Sequence, residues 1–129
     1  MPLDLSRTEK TVLYARVLWE LVRYDVLFAS RGMQGVRPRT RPAGTGDAAR
    51  EAAICKAVLS VTPFYWKPIR CLQRSIVTAR LMRGHGIRAE VVIGYRPAPF
   101  FSHAWVEVAG RVVNDSPIYQ VRLQVLERL

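Results

Sequence analysis

Three residues of this chain have the types that nucleophilic catalysis requires: Cys71, His103 and Asp115. A cysteine nucleophile must be at least partly thiolate, a histidine must take and return its proton, and a third polar group must orient the imidazole. Cys71 opens the helical sequence CLQRSIVTARLMRGHG. The free backbone N–H groups and the dipole of a helix N-terminus favour an anion there, and those N–H groups can also form part of an oxyanion hole. Arg70 and Arg74 add positive potential beside it. His103 and Asp115 fall on the two arms of a hairpin, SHAWVEVAGRVVND, whose turn is read at Ala109-Gly110. Facing positions in that register sum to about 219, so His103 faces position 116, one step from Asp115. Trp66, Arg74 and Trp105 are the candidates for lining a substrate groove.

Each residue also has a plainer reading. Cys55, in mid-helix among alanines, is read as a buried apolar residue, and Cys71 taken alone could be another. His103 could be a surface histidine, and Asp115 a turn residue of NDSP. His85, between two glycines at a helix end, is read as a cationic cap.

The elements that must hold these residues follow from periodicity. Ser6 with Glu9 can form a capping box. Leu13, Val17, Leu18, Leu21 and Val22 then recur at helical steps, giving one or two helices over about 6–30 with this stripe on the core. GMQGVRPRTRPAGTGD reads as a loop, basic through Arg31, Arg37, Arg39 and Arg41 over 31–47; it is either a solvated linker or a docking surface for an acidic partner. Asp47 caps a helix over 48–60, with Ala52, Ile54, Cys55, Val58 and Leu59 as its buried side. TPFYWKPIR is irregular and leads into Cys71. The Cys71 helix closes at Gly84 or Gly86. IRAEVVIGYR is a strand, the hairpin follows, and the tail is read as a last strand running into a short helix. On the hairpin's first arm, Ala104, Val106 and Val108 face the core, while His103, Trp105 and Glu107 share the other face. The expectation is an α+β fold with N-terminal helices packed on a small antiparallel sheet. It forms one domain over 1–129, helical over 1–62, with the catalytic helix and sheet over 63–129.

Composition bounds the function. With 20 Lys+Arg against 10 Asp+Glu, the net charge of +10 attracts anionic partners. No zinc-finger or ribonucleoprotein-type motif is present, so nucleic acid is not expected. Two cysteines are too few for a disulfide framework, and no close pair suits a metal. The N-terminus lacks signal-peptide character, and the apolar stretch over 12–28 is broken by Arg16, Glu20, Arg23 and Asp25. A cytoplasmic location is expected. The apolar N-terminal helices leave contact with a membrane surface open.

CLQRSIVTARLMRGHGIRAEVVIG and FFSHAWVEVAGRVVND together resemble the transglutaminase-like leader peptidases of lasso peptide biosynthesis. That resemblance implies a papain/transglutaminase-like core with Cys71, His103 and Asp115 as its triad and no cofactor. It implies a substrate, a ribosomal precursor peptide cut between leader and core. It implies as partners a separate small leader-binding (recognition-element) protein and possibly the lasso cyclase. The same triad would also serve an acyl transferase of the transglutaminase type, and a non-catalytic basic binding module is the reading from a different class.

Overall fold

The computed structural model describes residues 5–37 and 47–129, and its elements run α1 (Arg7–Arg31), α2 (Met33–Val36), α3 (Ala48–Val61), α4 (Cys71–Gly84), β1 (Ala89–Pro97), β2 (Phe100–Val108), β3 (Arg111–Val112), α5 (Ile118–Arg122) and β4 (Gln124–Arg128). A short 3-10 turn, Thr62–Phe64, leads out of α3. The strands form an antiparallel sheet in the order β3-β2-β1-β4. Helices α1, α3 and α4 pack together, and α4 lies on β1 and β2.

The helices begin and end for local reasons. Ser6 Oγ accepts from Glu9 N–H while Glu9 accepts from Ser6 N–H at 2.9 Å, the reciprocal capping box expected at the start of α1. Asp47 accepts from Ala49 N–H to cap α3. At the end of α4, Ile87 N–H donates to Met82 C=O and Gly86 N–H to Arg83 C=O. Gly86 has φ +74°, and Ile87 and Met82 are both fully buried. This is a Schellman closure with its apolar clasp, and it requires the left-handed conformation that glycine takes without strain.

The core lies between the helices and one face of the sheet: Val17, Leu21, Ile54, Val58, Ile76 and Val91 are all at most 1% exposed. Leu13 and Tyr24 complete the buried side of α1, but Leu18 and Val22, expected there, are 47% and 39% exposed. On α3 the buried residues are Glu51, Ile54, Ala57 and Val58; Ala52 and Leu59, also expected inside, face outward. In both helices the broad apolar pattern covers more circumference than the core does.

Three further expectations are corrected. The segment from Met33 begins as the short helix α2, and Arg37 pairs with Glu127 rather than standing free; Arg31 ends α1, and Arg39 and Arg41 lie outside the described residues. The tail runs helix then strand, α5 before β4, the reverse of the expected order. The face of β2 bearing Trp105 and Glu107 is closed, not open: Trp105 is 0% and Glu107 3% exposed, beneath Leu123, Val112 and Tyr119. Among the described residues no helix is long and apolar enough to cross a membrane.

Candidate active site

Cys71 is the first residue of α4, with Arg70 as N-cap. Arg70 provides no side-chain acceptor, and the helical ladder starts only with Arg74 N–H donating to Arg70 C=O. The backbone N–H groups of Cys71, Leu72 and Gln73 are therefore outside the ladder, as those of every first helical turn are. Here no side-chain cap competes for them.

The loop leading to the thiol is held by a polar network with α1. Gln73, 3% exposed, donates to Leu21 C=O and to Asp25 Oδ1, both at 3.2 Å. Lys67 Nζ donates to Gln73 Oε1 at 2.8 Å and pairs with Asp25 at 2.9 Å. Tyr65 O–H donates to the other Asp25 oxygen. A half-open cavity of about 440 Å³ lies alongside this network, walled by Tyr24, Phe28, Lys67, Arg70 and Leu72 among others. The Tyr24 hydroxyl is pushed above its ordinary value by burial first, then by Asp25 and Cys71.

Asp115 meets His103: Nε2 and Oδ2 are 2.7 Å apart. The hairpin register is Val108↔Arg111 and Glu107↔Val112, and the turn residues Ala109 and Gly110 have φ of +51° and +76°, the geometry of a tight primed turn. Pairing does not continue to Asp115. After Val113 N–H donates to Val106 C=O at 3.0 Å, the Asn114 side chain takes over, its Oδ1 accepting from Val106 N–H at 2.7 Å. Asn114 Nδ2 donates to Ser75 Oγ on α4 at 3.3 Å. This clamp turns the chain so that the Asp115 side chain, not its backbone, reaches His103. With Nε2 facing the carboxylate, Nδ1 is the ring nitrogen left to face other chemistry. Tyr119 from α5 lies against the imidazole, tilted by 30°, with centroids 4.0 Å apart.

The remaining candidates take different positions. Arg74 Nη2 contacts Asp115 Oδ2 at 3.2 Å, the same oxygen that meets His103, so Arg74 braces the carboxylate. Its Nε is buried without a hydrogen-bond partner among the described residues, beside a cavity of about 100 Å³ that has room for ordered water. Trp66 is 77% exposed and lines an open depression of about 460 Å³ with Tyr65, Lys67 and Pro68. Trp105 cannot line a groove, because it is fully buried; its Nε1 donates to Glu107 at 2.8 Å and its ring backs His103. No hydrogen bond joins the Cys71 thiol to His103, although α4 packs on β2. Cys55 is the inert cysteine: it donates to Val113 C=O at 3.5 Å, and burial, then Glu51, push its thiol up to about 11. His85 does cap α4, but burial, then Arg50 and Arg16, hold it below the ordinary histidine value, against the cationic role expected of it. Among the described residues no group of three or more His, Cys, Asp and Glu could hold a metal ion.

The helix that Cys71 begins packs on the strand whose His103 meets Asp115, in the segment after β3. The family model described as "Transglutaminase-like superfamily" matches residues 12–128. The chain belongs to the transglutaminase-like superfamily. It is also 42% identical over 59 residues to the Microcin J25-processing protein McjB of Escherichia coli, a match covering 46% of this chain and 28% of that protein. The chain thus spans less than a third of the curated relative it matches. No solved structure matches the chain significantly.

Asp25, Lys67, Gln73, Asn114 and Tyr119 were not marked by sequence reasoning. The legible signal was a set of polar residues, Gln73, Ser75 and Thr78, among the buried residues of α4; buried polar groups require partners.

Proposed function

We propose that this protein is a cysteine peptidase that removes the leader from a ribosomally made lasso precursor peptide, with Cys71 as nucleophile, His103 as acid–base and Asp115 as orienting group. The observation that carries the reading is the 2.7 Å His103–Asp115 contact on a strand packed against the helix that Cys71 begins. The similarity to a microcin J25-processing protein supports the substrate class.

The chemistry follows from the tautomer. Asp115 accepts a hydrogen bond from Nε2–H, so Nδ1 carries the lone pair that removes the thiol proton. The thiolate attacks the carbonyl at the leader–core junction, and the first-turn N–H groups of α4 stabilise the oxyanion. The Nδ1 proton passes to the departing core amine as the C–N bond breaks. Water, deprotonated by the same nitrogen, then releases the leader as a free acid and restores the thiol. Tyr119 against one ring face and Arg74 on the carboxylate restrict how far the His103–Asp115 pair can swing. No step calls for a metal or nucleotide. A separate leader-binding protein presents the precursor in this reading.

The test is mass spectrometry of precursor peptide incubated with the protein, with and without the leader-binding partner. Separate leader and core are expected with the wild-type protein and neither with Cys71→Ala, whose melting temperature should be unchanged. Full cleavage by Cys71→Ala would sink the proposal.

A further inference from the structure

Helix α1 is apolar on two nearly opposite sides. One side carries the buried Leu13, Val17, Leu21 and Tyr24. The other is open: Val12 is 54% exposed, Leu18 47%, Trp19 64%, Val22 39% and Val26 60%. At 3.6 residues per turn these five occupy about 120° of the circumference. Val12, Trp19 and Val26 are seven residues apart, and Val22 lies seven beyond Ala15. This is the a/d spacing of a seam between two helices. Isolated exposed apolar side chains need no explanation, but a continuous stripe two heptads long with a tryptophan at its centre does.

The edge of the stripe is cationic and under-neutralised. Arg16 and Arg23 follow it about two turns apart. Among the described residues Arg16 has no ion pair, and Arg23 has one at 3.9 Å to Glu20, which Arg80 holds more closely at 2.8 Å. At the N-terminal end Val12 and Arg16 also line a cavity of about 220 Å³ with Leu13, Arg50 and His85. His85 is held below the ordinary histidine value by burial first, and then by Arg50 and Arg16 beside it. Glu9, at the same cavity, is already committed to the Ser6 backbone.

We propose that the outer face of α1 is a docking seam for an amphipathic helix of a partner protein, apolar at its heptad positions and acidic along the flank that meets Arg16 and Arg23. One of its carboxylates enters the cluster of Arg16, Arg50 and His85. The heptad spacing selects a helix, and the arginines select its charge. A second copy of this chain fits poorly, because antiparallel pairing sets the Arg16–Arg23 edge against itself. Residues 38–46, PRTRPAGTG, contain no large apolar and no acidic side chain with which to cover the stripe. The seam is independent of the peptidase reading, because it is tested by binding without turnover.

The test uses the full chain and a fluorescein-labelled synthetic peptide of three heptads, leucine at a and d and glutamate at e and g, at concentrations where the peptide alone is monomeric. Saturable binding by anisotropy is expected. Trp19→Glu should weaken it at least tenfold, with Val22→Glu as a second variant and melting curves to verify folding. Arg16→Gln with Arg50→Gln should weaken it severalfold and flatten its salt dependence. A peptide with lysine in place of glutamate should not bind. Equal binding of the lysine peptide, no binding of the glutamate peptide, or indifference to both Trp19→Glu and Val22→Glu would overturn the proposal. So would co-sedimentation with phosphatidylserine vesicles that Trp19→Glu abolishes and the glutamate peptide does not compete, which would assign the face to lipid. Micromolar self-association abolished by Trp19→Glu would overturn it too, assigning the face to a second copy.

Discussion

Gly94 sits directly across the β1–β2 ladder from His103. A Cβ at this position would lie 2.5 Å from Cη2 and 2.8 Å from Cζ3 of Trp105, and 3.0 Å from Leu123 Cβ. Carbon atoms pack without strain at about 3.5–4.0 Å, so Gly94→Ala requires the indole to retreat by roughly 1 Å. The indole is fully buried, hydrogen-bonded to Glu107 and stacked against Tyr119, and has little room to move. Forcing an extra carbon into such a site costs about 2 kcal/mol, within the usual 1–3 for overpacking. For a chain of this size that corresponds to a melting-temperature drop of roughly 6–10 °C. Circular-dichroism melts measure it directly. Gly110→Ala is the control: its φ is +76°, but nothing lies within 4 Å of the added carbon, so its cost is backbone strain of about 1 kcal/mol. In a Trp105→Phe background, where the indole's outer ring is gone, the cost of Gly94→Ala should fall below about 1 kcal/mol. A Gly94→Ala melt within 2 °C of wild type, or an undiminished penalty beside Trp105→Phe, would refute the steric argument.

Asp115→Ala should lower the turnover of a precursor peptide by about 10²-fold or more. Asp115→Asn should cost less, because its amide oxygen can still accept a hydrogen bond from Nε2–H; peptide time courses by mass spectrometry rank the two, and the reverse order would contradict the orienting role. For Cys55, the folded thiol at about 11 lies above the ordinary range near 8.5. Keeping it neutral therefore stabilises the fold fully below about pH 8.5, and that contribution is lost as pH rises through 11. Iodoacetamide at pH 8 should modify Cys71 and leave Cys55 untouched until the protein unfolds; equal rates at both would argue against this assignment.

How far the site could be read in advance differs residue by residue. The Ala109-Gly110 turn and its register were legible, because only a tight primed turn fits the spacing. They brought Asp115 close to His103, but the last step rests on Asn114, whose side chain replaces a backbone rung. No periodic pattern signals such a substitution. The start of α4 at Cys71 was legible from the preceding prolines and the helical period. The burial of Trp105 was not: alternation divides a strand into two faces without saying what covers each. The cover comes from α5 and Leu123, in a segment whose apolar residues suit helix or strand equally, which is also why its two elements were expected in the wrong order. The brace of Arg74 on Asp115 spans 41 residues; in the sequence Arg74 reads only as positive potential beside Cys71 and as a candidate groove residue, since sequence offers no distance between the two.

The network of Asp25, Lys67, Gln73 and Tyr65 bears on how the protein comes into being. Cys71, His103 and Asp115 all belong to the second half of the chain, yet the start of the nucleophile's helix is fastened to α1 by bonds reaching back 40 to 52 residues. The second half is thus not a portable module. Produced without α1, it would carry every reactive group and lack the carboxylate and the carbonyl that hold Gln73 and Lys67. During synthesis α1 emerges first, and the thiol is fixed only when α4 folds back upon it.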